Sequence, residues 1–207
     1  MNYLNLGKIA GALALTIGLA GCMDVTMDVA VQNETNGKLT TTMVMGADFY
    51  AMAKSGMAQG GEAANPDEGF CKEAGDVLTE NADGSATCTS IKEGTFAELT
   101  ANEDGTQAKD EARFEVVSPG VVKVTFPTKD MSGELQSEEQ DEQTKAMMVA
   151  LFEGHNVTLR VSGNEILDTN MTKSADGKSA EVVIPFLDLI NGTATVPAEL
   201  FATVKTN

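Results

Sequence analysis

Three cysteines carry the chemistry that can be read most directly from this chain. Cys22 closes the tetrapeptide Leu19-Ala20-Gly21-Cys22, behind an uncharged run from Ile9 to Ala20 and the single early charge of Lys8. A basic start, a short apolar centre and small residues at its end are the pattern of a secretory signal. The run is too short to cross a bilayer, which takes about 20 apolar residues. Leu-Ala-Gly-Cys matches a lipobox, whose cysteine thiol receives a diacylglycerol and becomes the new N-terminus. The bland alternative is a buried helix capped by Gly21. It is disfavoured because the run stands at the extreme N-terminus, where this tetrapeptide is specific. The expected organisation is therefore a signal peptide over residues 1–21 and one globular domain over 22–207, held at a membrane by acyl chains on Cys22.

With Cys22 assigned to lipid, Cys71 and Cys88 remain as a pair. In an oxidising compartment a disulfide is the default for such a pair, and a short loop closed this way gains roughly 3 kcal/mol in the chain-entropy model. Two free thiols or a metal pair are the alternatives, and neither cysteine has a nearby histidine or further cysteine to help.

The other reactive types are sparse. His155 is the only histidine, set between Gly154 and Asn156. A histidine base needs a positioned nucleophile or partner, and no serine sits in a Gly-x-Ser-x-Gly elbow. A solvent-facing turn or a partner for a helix C-terminus is the expected role. Thr100–Glu111 (TANEDGTQAKDE) approaches a calcium loop, with Asn102, Asp104, Gly105 and Glu111 at the third, fifth, sixth and twelfth places. Threonine holds the first place, where the pattern wants aspartate, and a strand rather than a helix is expected after it. No phosphate loop or dinucleotide fingerprint is present. The expectation is no catalytic residue, no metal site, no cofactor and no enzyme, although the many carboxylates leave an acid–base pair open.

Charge narrows the partners. The chain holds 14 basic and 31 acidic residues, and loss of Lys8 with the leader leaves 13 against 31. Such a surface repels nucleic acid, whose binding rests on cations neutralising phosphates. It also offers no polybasic attraction to anionic lipid, so the acyl chains would have to do the anchoring.

Ten methionines follow Met1, among them Met23, Met27, Met43 and Met45 early and Met147 and Met148 late. Ordinary core filling is the preferred reading, because methionine fills irregular space. The functional alternative is a soft apolar groove lined by Met27, Met43, Met45, Met147, Met148 and Leu151, suited to an acyl chain.

The elements that must position these residues follow from periodicity. Met23, Val25, Met27, Val29 and Val31 alternate with polar residues, the period of a half-buried strand. Asn36-Gly37 predicts a turn and Lys38–Met45 the returning strand. A short helix is expected over 47–57 and a helix start at 65–76. Two short strands should flank Asp83-Gly84, followed by a short helix in EGTFAELTANEDG. A hairpin is expected over 112–126 around Pro119-Gly120. Ser137 and Gln140 form a capping box for a helix over 138–152 that Gly154 stops, with Met147, Met148, Leu151 and Phe152 on its apolar face. Strands then follow in NVTLRVSG, EILDTNM and KSAEVVIPF, and PAELFATVK ends the domain as an edge strand. The fold class this predicts is α+β, a mostly antiparallel sheet of hairpins with helices on one face.

The alternating strand that runs straight on from the lipobox cysteine (CMDVTMDVAVQNETNGKLTTTMVM) resembles the start of LppM-type lipoproteins. The closing NVTLRVSGNEILDTNMTKSADGKSAEVVIPF, with Gly163, Asn170 and Asp176-Gly177, resembles them as well. The resemblance implies an envelope α+β domain, with lipid or glycolipid binding suggested for some members. The functional expectation is a lipid-anchored envelope protein that binds a lipid or other amphiphile. The alternative is a structural or assembly lipoprotein contacting another envelope protein. Met23, rather than aspartate, after Cys22 favours the outer membrane in a two-membrane cell; otherwise the outer face of the plasma membrane is expected.

Overall fold

The computed structural model describes residues 23–54, 70–71, 75–101, 112–128, 149 and 152–206. Strand β1 (Met23–Val31) buries Val25, Met27, Val29 and Val31 and leaves the residues between them part exposed, as its period of two requires. It pairs antiparallel with β2 (Asn36–Met45) from Met23 opposite Met45 to Val31 opposite Gly37. The turn lies earlier than Asn36-Gly37 predicts. The Asn33 side chain accepts hydrogen bonds from the N–H groups of Thr35 (2.9 Å) and Asn36 (2.8 Å), so Asn33–Thr35 make the turn and Asn36-Gly37 already belong to β2. Gly37 has no positive φ. Its small size serves packing instead, since a Cβ there would lie 3.2 Å from the Phe96 ring and 3.3 Å from Leu99.

After β2 come helix α1 (Ala47–Lys54), strand β3 (Val77–Glu80) and strand β4 (Ala86–Thr95). Helix α2 (Phe96–Leu99) follows, then the hairpin β5 (Arg113–Ser118) and β6 (Val121–Pro127). Next are β7 (Asn156–Ser162), β8 (Glu165–Thr169), β9 (Thr172–Lys173) and β10 (Ser179–Pro185). Helix α3 (Phe186–Ile190) and β11 (Glu199–Lys205) finish the chain. The hairpins around Asp83-Gly84 and Pro119-Gly120 form as their turns predict, with Phe114 opposite Val124 and Val116 opposite Val122.

The strands form two sheets, a seven-stranded one in the order β3-β4-β2-β1-β7-β10-β9 and a four-stranded one in the order β5-β6-β11-β8. One hydrophobic core draws on both. Val25, Met27, Val29, Val157, Leu159 and Val161 come from the larger sheet; Val122, Val124, Phe126, Ile166, Leu200, Ala202 and Val204 come from the smaller. This corrects the expected fold class. The molecule is predominantly β, and a second sheet covers the apolar face that helices were expected to cover. The described helices α1, α2 and α3 are short. Alternating apolar residues show that a strand face is covered; they do not say by what.

Two further corrections follow from topology. The larger sheet is mixed, because β1 lies parallel to β7, Val25 opposite Val157 through Ala30 opposite Ser162. β11 is not an edge strand but sits between β6 and β8, which is why Ala202 and Val204 are fully buried. The helix expected over 138–152 falls outside the described residues except at Val149 and Phe152, both helical.

The outer face of the larger sheet is banded. One row across it reads Val77, Thr89, Thr42, Thr26, Thr158, Val183, without a charge. The neighbouring row brings Asp28, Arg160 and Glu181 side by side. Arg160 Nε lies 3.8 Å from Asp28 Oδ2, and Ser162 donates to Asp28 at 2.9 Å.

Candidate functional site

Of the residues marked for chemistry in the sequence, Cys71, Cys88, His155, Met43 and Met45 lie at one end of the larger sheet, where β1 begins. Cys22 lies just outside the described residues, and Met23 immediately after it opens β1. Because β1 and β7 are parallel, the start of β7 comes to the same end, as do the end of β2, helix α1 and the end of β10 leading into α3.

A second apolar cluster fills this end: Met45, Phe49, Tyr50, Phe70, Ala86 and Cys88, with Leu78 and Cys71 at its margin. Met23 and Met43 are part buried and pack against both this cluster and the main core. The candidate groove is thereby divided. Met27 (6% exposed) belongs to the main core and Met45 (1%) to the second cluster, with Met43 at the seam between them. Met27 and Met45 are buried core side chains. Met147, Met148 and Leu151 lie outside the described residues.

Cys71 and Cys88 are joined, with Cα atoms 5.5 Å apart. The bridge fastens the segment bearing Phe70, itself buried, to β4. Asp76 Oδ2 stands 3.8 Å from Cys88 Sγ, and the ligand-type atoms of Cys71, Asp76 and Cys88 all lie within 4.8 Å of one another. With the sulfurs bonded to each other, no thiolate is available, so this trio is not a metal set in the oxidised protein. The calcium-like loop falls outside the described residues from Asn102 to Glu111.

Around the cluster, polar groups clamp α1 to β3. Glu80 accepts from the Lys54 ammonium (2.6 Å) and the Tyr50 hydroxyl (2.8 Å). The Lys54 hydrogen bond first, and then that of Tyr50, hold its carboxyl below the usual range. Lys54 also stands 5.2 Å from the Tyr50 ring centre. In the adjoining turn the Ser85 hydroxyl and N–H lower Asp83 in the same way.

His155 has a partner that sequence reading missed. Its Nδ1 lies 3.2 Å from Asp24 Oδ2, while Asp24 Oδ1 accepts the Asn156 N–H at 2.8 Å. The pair joins positions 131 apart in the chain, and only the parallel β1–β7 register brings them together. The histidine itself is fixed by the chain around it: its N–H donates to the Phe152 carbonyl and its carbonyl accepts from Phe186. The arrangement ties the start of β1 to the start of β7; among the described contacts it orients no nucleophile.

No family model matches the chain, and no curated protein matches it. Among solved structures it is similar to the folded domain of LppM from Mycobacterium tuberculosis, determined by NMR. The identity is 10%, the coverage 93% of this chain and 95% of that one, and the TM-score 0.45.

Proposed function

We propose that this chain is a lipid-anchored envelope protein, held at the membrane through Cys22, whose domain binds a lipid or other amphiphile at the end where β1 begins and is not an enzyme. The observation that supports the reading is that β1 begins one residue after Cys22, which would leave no slack between an anchor there and the fold. β1 starts at Met23, directly after the lipobox cysteine, and is flanked on both sides, by β2 and by β7. Two residues separate Cys22 from buried Val25, a span of roughly 10 Å over three extended steps of about 3.3 Å. The methionine seam, Met23 and Met43, therefore stands nearest the acyl chains. Methionine at that place suits apolar chains of varied shape.

The test is lipid analysis by mass spectrometry of the domain purified from cells as a Cys22→Ser chain without its leader. Co-purification of a defined lipid, reduced by Met23→Ser or Met43→Ser, is expected. A lipid-free domain that also takes up no lipid from vesicles would count against the binding half of the reading.

A second reading, an assembly protein contacting another envelope protein, draws on the uncharged row Val77, Thr89, Thr42, Thr26, Thr158, Val183. Val77 and Val183 on that row are each about half exposed, as is Ile91 nearby on β4. Crosslinking in intact cells from positions 77 and 183 distinguishes the two: a specific protein adduct with an empty domain favours assembly.

A further inference from the structure

The bridge at the anchor end is built asymmetrically, and the asymmetry bears on how it meets thiols. Cys88 is fully buried on β4, whereas Cys71 is part exposed. The Asp76 carboxylate, also part exposed, reaches to 3.8 Å from the Cys88 sulfur.

A thiolate opens a disulfide by attacking one sulfur and expelling the other, and the reaction is faster when the expelled thiol is more acidic. Here the target is Cys71 Sγ, on the more exposed of the two bridged residues. Attack there forms a new bond to Cys71 Sγ, breaks the Cys71–Cys88 bond and leaves the electron pair on Cys88 Sγ. That new anion would be buried, and it would stand beside an existing carboxylate. Burial and a like charge both disfavour a thiolate. Attack on Cys88 instead would avoid this cost, but that sulfur is out of reach. With a dithiol as reductant, its second thiolate then attacks the reductant's own sulfur in the mixed disulfide, closing a cyclic disulfide and expelling Cys71 Sγ with the bond's electron pair, and Cys71 and Cys88 each take up a proton released by the dithiol.

We infer that Asp76 guards the Cys71–Cys88 bridge against thiol–disulfide exchange by making Cys88 a poor leaving group. What it protects is the cover of the second apolar cluster. Phe70 beside Cys71 is packed with Met45, Phe49 and Tyr50, and an open bridge frees that segment from β4.

The experiment measures the rate of bridge opening by dithiothreitol in the full chain, purified oxidised in detergent, with alkylation and mass spectrometry as the readout. Asp76→Asn is expected to open about three- to tenfold faster than the parent. Val204→Ala, which loosens the main core away from the bridge, serves as the control for opening through general destabilisation. Equal rates for Asp76→Asn and the parent would overturn the inference. So would acceleration by Val204→Ala as large as that by Asp76→Asn. A measurement on the parent chain stands apart from both variants: brief exposure to glutathione should trap the mixed disulfide on Cys71, and an adduct on Cys88 contradicts the scheme.

Discussion

Gly163 stands where the chain leaves the larger sheet for the smaller one, between β7 and β8. A Cβ at this position would lie 2.3 Å from Val204 Cγ1 and 3.4 Å from the Val31 carbonyl oxygen, so the two sheets close on a glycine. Gly163→Ala is expected to destabilise by about 1–3 kcal/mol through overpacking. Because the obstacle is a side chain, Val204→Ala should cost less in the Gly163→Ala background than in the parent. A double-mutant cycle by urea denaturation reads this directly, and additive costs would contradict it. In the main core, Leu159 lies on β7 between Met27 of β1 and Val182 of β10. Leu159→Ala is expected to cost about 2–5 kcal/mol. The sequence marked Gly163 by resemblance alone; the partner that requires it, Val204, is far along the chain on β11. The His155–Asp24 pair was hidden for the same reason. Neither half carries a local signal, and a parallel register between β1 and β7 joins them.

At the scale of elements, what was legible depended on local chemistry. Period-two runs placed most strands, and turn residues placed the hairpins at Asp83-Gly84 and Pro119-Gly120. The first turn was misplaced because Asn36-Gly37 satisfies a turn rule while Asn33 makes the turn with its side chain. A missed signal is also visible at α2: Thr95-Phe96-Ala97-Glu98 is a capping box. Glu98 accepts the Thr95 N–H at 2.7 Å, and Thr95 accepts the Glu98 N–H at 3.3 Å. Thr95→Ala is expected to cost about 1 kcal/mol. The Thr95 N–H first, then the Thr95 hydroxyl, lower the Glu98 carboxyl; in the 174–178 turn the Ser174 hydroxyl first, then the Lys178 N–H, lower Asp176. A carboxyl lowered by folding stabilises the native state above its unfolded value, about 4, and loses that contribution as the pH falls through the lower folded value. Together with Glu80 and Asp83, these groups predict declining stability below about pH 4. Glu98→Gln should flatten part of that decline, measured by thermal unfolding across pH. An unchanged slope would show that Glu98 contributes nothing to it.

For the whole molecule, the number of strands was largely readable and their partition into two sheets was not. Amphipathic strands state that one face is covered, and β6 and β11 cover β1 and β7 as well as helices would have done. The bridge belongs to this scale because it ties the second apolar cluster to β4 at the end where β1 begins. Cys88→Ser is expected to lower stability by roughly 3 kcal/mol, and to make the region around Phe70 more accessible in hydrogen exchange while β7 and β11 stay protected. The methionines do concentrate near β1's start, but Met27 and Met45 proved to be core side chains of two different clusters. What joins these observations to the proposed function is a lipid anchor at Cys22, which β1 follows at once in the sequence. The most direct measurement is the mass of the N-terminal peptide released by trypsin, Cys22 to Lys38, from the membrane fraction of cells making the chain. The account predicts a peptide that begins at Cys22 and carries a diacylglycerol with palmitate-type chains, and its absence together with loss of membrane association in Cys22→Ser. An unmodified tryptic peptide running from Ile9 to Lys38, with the leader still attached, would contradict it.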